Sequence, residues 1–325
     1  MALAGGITRR AVLQAMIGGA AGLWSGCGCS GGRRRGRPLV VWSCGGSYYC
    51  LLEFNKRFEE TESCRIVYSS APVDNLTSAL ADRPRNVDVL VGRSGPGWLD
   101  LVEKDRLAED PQVFALDPCY IVVAPGNPRG IQGLPDLKRP DVRTVYAPRA
   151  SNPSGMVVDL LLISADEVLE PGIWDGFMDN AVEVFDCGWK LFPPIIEGRA
   201  DATVARLSLA RAPQFRGKVD LIPIPAEVLA NMGKATNSVP QRVATLRDGQ
   251  RTELGRKYVA ALLGDLGAAV CLKHGYLHRL SSQADPYREF FSLPVSRDRG
   301  KHCCGSSRNA LMRKYAGESG TQEEQ

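Results

Sequence analysis

Short apolar runs alternate with amphipathic stretches along most of this chain. Leu39-Val40-Val41-Trp42 reads as a buried strand that ends in the loop Ser43-Cys44-Gly45-Gly46-Ser47. From Tyr48 to Glu60 apolar residues stand at helical spacing, with Leu51, Leu52, Phe54 and Phe58 on one face. Arg65-Ile66-Val67-Tyr68 predicts a second strand, ended by Ser69-Ser70-Ala71-Pro72. Asp74 to Leu80 predicts a helix with Asp74 near its N-cap. Asp88-Val89-Leu90-Val91 is a third strand, Gly97 to Leu107 a helix, and Tyr120-Ile121-Val122-Val123 another strand. Such alternation predicts parallel β/α layers.

The rhythm restarts after Pro125. Strands are expected at Arg143–Tyr146, Val182–Phe185, Ala202–Val204 and Val219–Ile222, with helices from about Met156 to Leu162 and from Gly188 through Ile196. Thr252 to Lys273 reads as one amphipathic helix, because Leu254, Tyr258, Leu262, Leu266 and Val270 recur on one face. Beyond about Ser282 the chain turns polar and Gly-rich, which predicts a disordered tail.

The N-terminus changes the picture. Thr8-Arg9-Arg10-Ala11-Val12-Leu13 resembles a twin-arginine export signal, and an apolar run of signal-peptide length follows it. That run ends at Leu23-Trp24-Ser25-Gly26-Cys27, which resembles a bacterial lipoprotein box with Cys27 as the lipidated residue. Trp24 stands where such a box usually has Leu or Val, and Cys29 is a second candidate. Ser30 to Pro38, rich in Gly and Arg, reads as a tether. The formal net charge of +4 belongs to this leader: residues 1–37 hold six arginines and no acid. The remainder carries 34 basic and 36 acidic residues, so the folded part has no nucleic-acid footprint.

Chemistry-bearing residues are sparse. There are three histidines, no P-loop, and no nucleophile–base pair at a recognisable spacing, so catalysis is not expected. The ten cysteines make no zinc pattern, although export would permit disulfides. G-x-G-x-x-G and G-x-S-x-G patterns at residues 26–32 follow no strand and open no helix, so neither carries its mechanism. The informative feature is three Gly/Ser loops placed between a strand and a helix: Cys44–Ser47, Ser69–Val73 and Ser151–Gly155. At the carboxyl ends of parallel strands, hydroxyls and free helix N–H groups form an anion site.

The order of these segments resembles the periplasmic molybdate-binding proteins and their relatives among the solute-binding proteins of ABC transporters. The resemblance runs from about Leu39 to Leu280. It rests on the opening strand and loop Leu39–Gly46, on Asn86-Val87-Asp88-Val89-Leu90-Val91 followed by Trp98–Val102, and on Cys119–Pro128 as hinge strand. Gly133–Leu137 with Arg139–Arg143, Gly198-Arg199-Ala200-Asp201-Ala202-Thr203-Val204, and Lys273-His274-Gly275-Tyr276 complete it.

The resemblance implies an α/β, two-lobed periplasmic-binding-protein fold (type II), each lobe a mixed sheet flanked by helices, with two crossing strands. On that plan residues 1–27 are signal and lipobox and 28–37 the tether. Residues 38–124 plus 239–283 form lobe I, 125–238 lobe II, and 284–325 a disordered tail. It further implies a monomer without cofactor that holds a small oxyanion, molybdate or tungstate, and passes it to a membrane permease. Carried over by position, Gly46 or Ser47 and Ser69 or Ser70 serve from lobe I, and Ser154 and Gly188 from lobe II.

Two departures stand out. Ala205-Arg206 replaces the family's aromatic, so Arg206 either grips an anion directly or pairs with Asp201. Asp74 stands at a helix start where it would compete with an oxyanion for donors. These departures leave open another small solute, such as a carboxylate, a phosphonate or a cation, or a sensor role.

Overall fold

The computed structural model describes residues 36–71, 86–93, 106–147, 155–185, 188–232 and 238–291, together with Leu76, Ala79 and Leu80. The signal, Cys27, Asp74, residues 97–105 of the helix expected from Gly97 to Leu107, and Ser154 lie outside the described residues.

Two sheets share one strand. In the first, β1 (Leu39–Cys44) pairs in parallel with β2 (Ile66–Ala71) and β3 (Val89–Arg93). β3 then pairs antiparallel with β9 (Ser238–Thr245), and β9 antiparallel with β4 (Gln112–Val123). In the second, β5 (Thr144–Tyr146) pairs in parallel with β6 (Ala181–Val184) and β7 (Ala202–Arg206). β7 pairs antiparallel with β4, and β4 antiparallel with β8 (Asp220–Ile222). The orders β2-β1-β3-β9-β4 and β6-β5-β7-β4-β8 are the same plan used twice, which is the two-lobed architecture that the resemblance implied.

β4 is therefore the physical link between the lobes. Its residues Gln112–Pro118 face β9, and Cys119–Val123 face β7 and β8. The change of partner falls at Pro118, which has no N–H to give to a ladder. It comes earlier in the chain than the boundary expected at residue 124.

The central strands are buried on both faces, which explains their unbroken apolar runs: Leu39, Val41, Val89, Leu90, Val91, Ile121 and Val122 are fully buried. The outer strands β2 and β6 alternate in burial instead. Helix α1 (Tyr48–Glu62) lays Cys50, Leu51, Phe54 and Phe58 on the first sheet, while Leu52, expected to face inward, is exposed. Phe54 and Phe58 pack edge-on against Tyr258 at 5.0 and 5.2 Å between ring centres. The second lobe packs α2 (Gly155–Val168) and α3 (Ile173–Asp179) over its own sheet, around Leu161, Leu162, Ile173 and Phe177. Between β6 and β7 lies α4 (Phe192–Ile196); α5 (Leu207–Ala210) follows β7 directly, and α6 (Ala226–Asn231) packs Val228 onto the same core.

Two expectations need correction. The stretch Thr252–Lys273 is not one helix but α7 (Thr252–Leu263) and α8 (Asp265–Lys273), broken where Gly264 is extended. The break folds α8 so tightly that a Cβ on Gly267 would stand 1.9 Å from the Leu262 carbonyl oxygen. The first part of the stretch expected to be disordered is also ordered. Ser282–Phe291 forms a 3-10 helix that buries Ala284 beside Val113, Leu116 and Leu277 of β10 (Leu277–His278).

Candidate functional site

A short 3-10 turn, Gly45–Ser47, carries β1 into α1. No acid occupies the first turn of α1 and no side chain caps it, and its first N–H, that of Tyr48, is taken by the Gly45 carbonyl of the 3-10 turn. Ser47 is the N-cap. It is 2% exposed, and its Oγ has no hydrogen-bond partner among the described residues. A buried hydroxyl without a partner is costly, and an acceptor delivered by a ligand would satisfy it.

Gly46 reaches a cavity between the lobes. Tyr49, Cys50, His274 and Tyr276 line it from lobe I; Trp189, Arg206, Ser208 and Leu209 line it from lobe II. The Tyr276 hydroxyl donates to the Gly46 carbonyl at 2.7 Å, which fixes the turn against the end of α8. Tyr49 meets Trp189 edge-on at 6.0 Å, and Trp189 stacks on Phe215, so an aromatic contact joins the lobes. A second cavity lies within lobe II, lined by Tyr146, Val158, Gly188, Val204, Arg206 and neighbours. The two cavities measure about 10 and 20 Å³, room for about one water each. A tetrahedral oxyanion has four oxygens of that size, so its entry requires the lobes to part.

Arg206 stands at the end of β7 and, with Leu209, lines both cavities. Its guanidinium donates to Asp117 Oδ2 at 2.8 Å. Asp117, fully buried on β4, also accepts from Ser208 Oγ at 2.6 Å and from the Ser208 N–H at 3.1 Å. Burial pushes the Asp117 carboxyl up, against the pull of Arg206 and Ser208. Arg206 keeps its proton: burial opposes the charge, and Asp117 holds it. Cys119, next along β4, is pushed up to about 12 by burial and by the Asp117 charge.

The alternative pairing of Arg206 with Asp201 is thereby corrected. The two residues sit at opposite ends of β7, about 16 Å apart along an extended strand. Asp201 instead holds Arg143 at 2.9 Å and Arg129 at 3.2 Å.

The predicted ligand residues divide. Gly46 and Arg206 line the interlobe cavity, and Ser47 adjoins it. Gly188 lines the neighbouring cavity in lobe II. Ser69 and Ser70 line neither, because β2 runs on through Ala71 and absorbs both. Ser69 is exposed opposite Trp42, and Ser70 lies opposite Ser43. Ser43 Oγ is 2.7 Å from the Tyr68 hydroxyl. Burial raises the Tyr68 phenol, partly offset by Ser43 and Ser70, so this group stays neutral.

Sequence reasoning missed Tyr49, Trp189, Ser208 and the Asp117–Arg206 pair. The aromatics gave no motif, and Asp117 lies 89 positions from its partner. Beside the cavity, Glu53 receives Lys273 at 2.7 Å, His274 at 3.0 Å and Arg57 at 2.6 Å. Burial raises its carboxyl, but the hydrogen bonds from Lys273 and His274 prevail and hold it at about 2. Among the described residues no group of three or more His, Cys, Asp or Glu could hold a metal ion, and no helix is long and apolar enough to cross a membrane.

Solved structures share this fold at low identity. The periplasmic molybdate-binding protein of Azotobacter vinelandii is 14% identical with a TM-score of 0.56, over 74% of this chain and 98% of its own. The sulfate-binding protein SubI of Mycobacterium tuberculosis is 14% identical with a TM-score of 0.56, over 79% and 92%. Iron-bound HitA of Pseudomonas aeruginosa is 14% identical with a TM-score of 0.58, over 86% and 99%. No curated protein matches the chain. A family model described as bacterial extracellular solute-binding protein matches residues 39–277. With most of its length so matched, the chain belongs to the bacterial extracellular solute-binding protein family.

Proposed function

We propose that this exported protein captures a small oxyanion, molybdate or tungstate first, between its two lobes and delivers it to an ABC permease. The observation that carries this reading is the convergence of the uncapped α1 N-terminus and Arg206 on one interlobe cavity. Binding needs no chemistry. Lobe closure replaces the anion's water with the N–H groups of α1, the partnerless Ser47 hydroxyl and the Arg206 guanidinium. We read Cys27 as the lipidated N-terminus of a monomer held at the outer face of the membrane. The mass of the mature N-terminus tests that reading, and residues retained before Cys27 would sink it.

One observation favours a second reading. Asp117 already neutralises Arg206, and Tyr49 and Trp189 add ring surface that a bare oxyanion does not use. An organic anion, such as a carboxylate or phosphonate, would use both.

Thermal shift of the full chain separates the two. The panel is molybdate, tungstate, sulfate, phosphate and small phosphonates. Binding to the folded state alone adds about 4 kcal/mol at a thousandfold excess over Kd. A shift with molybdate and tungstate and none with sulfate supports the first reading. A shift only with organic anions replaces it, and no shift with any anion removes both.

A further inference from the structure

Beneath the cleft, α1 crosses α8, and each helix contributes one thiol to the contact. Cys50, in the first turn of α1, is 2% exposed, and Cys271, near the end of α8, is fully buried. Their sulfurs are 3.8 Å apart. Among the described residues, Cys44, Cys64 and Cys119 have no such sulfur neighbour. Both thiols sit in the apolar core of lobe I with Phe54, Val270 and Tyr276. The family is extracellular, so the mature chain meets an oxidising environment.

We propose that Cys50 and Cys271 are joined as a disulfide in the mature protein. Closing the gap to the ~2.05 Å of a cystine bond takes side-chain rotation and a small adjustment of two helices already in contact. The step is thiol–disulfide exchange with a disulfide donor, either a protein oxidase or oxidised glutathione. One thiolate attacks the donor to give a mixed disulfide. The second thiolate attacks that bond, the S–S link forms, and the donor leaves as two thiols with the two electrons. Burial holds the Cys271 thiol well above its ordinary range, so exchange is slow once the core has closed. The bond therefore forms as α8 docks on α1.

The crosslink spans 221 positions and ties together two segments of the lobe I wall. Cys50 lines the cavity itself, and His274 and Tyr276, just beyond Cys271, line it too. The disulfide thus holds the lobe I wall of the cleft as one piece while lobe II opens and closes.

The test is a peptide map of the full chain refolded in a mixture of oxidised and reduced glutathione, with free thiols alkylated before digestion without reductant. The expected result is a linked pair of peptides carrying Cys50 and Cys271, lighter by two hydrogens than their sum. Finding both cysteines alkylated, or Cys271 joined elsewhere, overturns the proposal. A second measurement assigns the effect: reductant lowers the Tm of the wild type by several degrees and leaves the C50A/C271A variant unmoved. An equal drop in both places the reductant-sensitive bond elsewhere and also overturns the proposal. The refolding arm depends on geometry alone. The same map on protein recovered from an exporting host tests the compartment separately.

Discussion

The two lobes share one strand order and place an aspartate at the same point, just before the third parallel strand, yet they satisfy it in opposite ways. Asp88 precedes β3, is fully buried, and accepts from the backbone N–H groups of Val40 and Arg251 at 2.8 Å each. Asp201 precedes β7 and accepts from the Arg143 N–H, but its charge meets the guanidinium groups of Arg143 and Arg129, both well exposed. Lobe I locks its aspartate into the backbone. Lobe II ties it to the surface. A buried backbone donor such as the Val40 N–H has no water to turn to, whereas exposed guanidinium groups fall back on water.

Asp88→Ala is accordingly the largest expected loss, about 3 kcal/mol, because the buried Val40 N–H and the half-buried Arg251 N–H lose their acceptor. Asp201→Ala should cost about 2 kcal/mol, with one backbone donor orphaned and the arginines free to hydrate. Urea unfolding of the full chain measures both. Equal losses would break the comparison and show that the guanidinium pairs, not the backbone, hold the matched aspartate.

Next in size is the seam between the lobes. Arg206→Ala leaves Asp117 buried and uncompensated, at a cost of about 3 kcal/mol. The double variant D117L/R206M removes both charges and should recover most of that loss in the same unfolding experiment. Its failure to recover would assign Asp117 a second task through Ser208. Ligand affinity should fall in both variants if Arg206 meets the anion.

The strand plan was legible because central strands are buried on both faces and so read as unbroken apolar runs. The Asp117-Pro118 dipeptide hid the first half of β4, since both residues are poor in strands. There Pro118 marks a change of partner and Asp117 is held by a residue far off in sequence. The break at Gly264 was hidden because Leu262, Leu266 and Val270 keep a helical period straight across it. Around the interlobe cavity, the positions of Gly46 and Ser47 in a turn and of Arg206 at a strand end were legible. The loop expected at Ser69 and Ser70 is strand instead, because hydroxyl side chains suit a half-exposed outer strand as well as a loop.

Acid sharpens the contrast between the lobes. Burial raises the Asp201 carboxyl, but hydrogen bonds from Arg143 outweigh it and hold the group at about 2. The folded value lies below the unfolded one, so this stability is present in full above about pH 4 and is lost as pH falls toward 2. The total is on the order of 2 kcal/mol. Asp117 has the opposite sign, since burial raises it, and protonation in the folded state relieves a cost. Unfolding free energy measured from pH 6 to pH 2 should fall less steeply in Asp201→Asn than in the wild type. A steeper fall would mean that Asp201 is not a source of the acid limb.

The smallest effect is the most informative about the site, because it compares hydroxyls that burial treats alike. In lobe II, Thr203 Oγ1 donates to the Val145 carbonyl at 2.6 Å, and Thr144 Oγ1 donates to Phe177 at 2.6 Å. In lobe I, Ser47 Oγ has no partner among the described residues although it is as deeply buried. Removing a satisfied hydroxyl costs about 1 kcal/mol, while removing an unsatisfied one costs nothing or stabilises. Thr203→Val should therefore lose about 1 kcal/mol with ligand affinity unchanged. Ser47→Ala should stay within about 0.5 kcal/mol of the wild type and yet weaken anion binding several-fold. A Ser47→Ala variant that loses stability instead, with binding intact, would make this hydroxyl a structural cap and move the anion's donors elsewhere in the cleft.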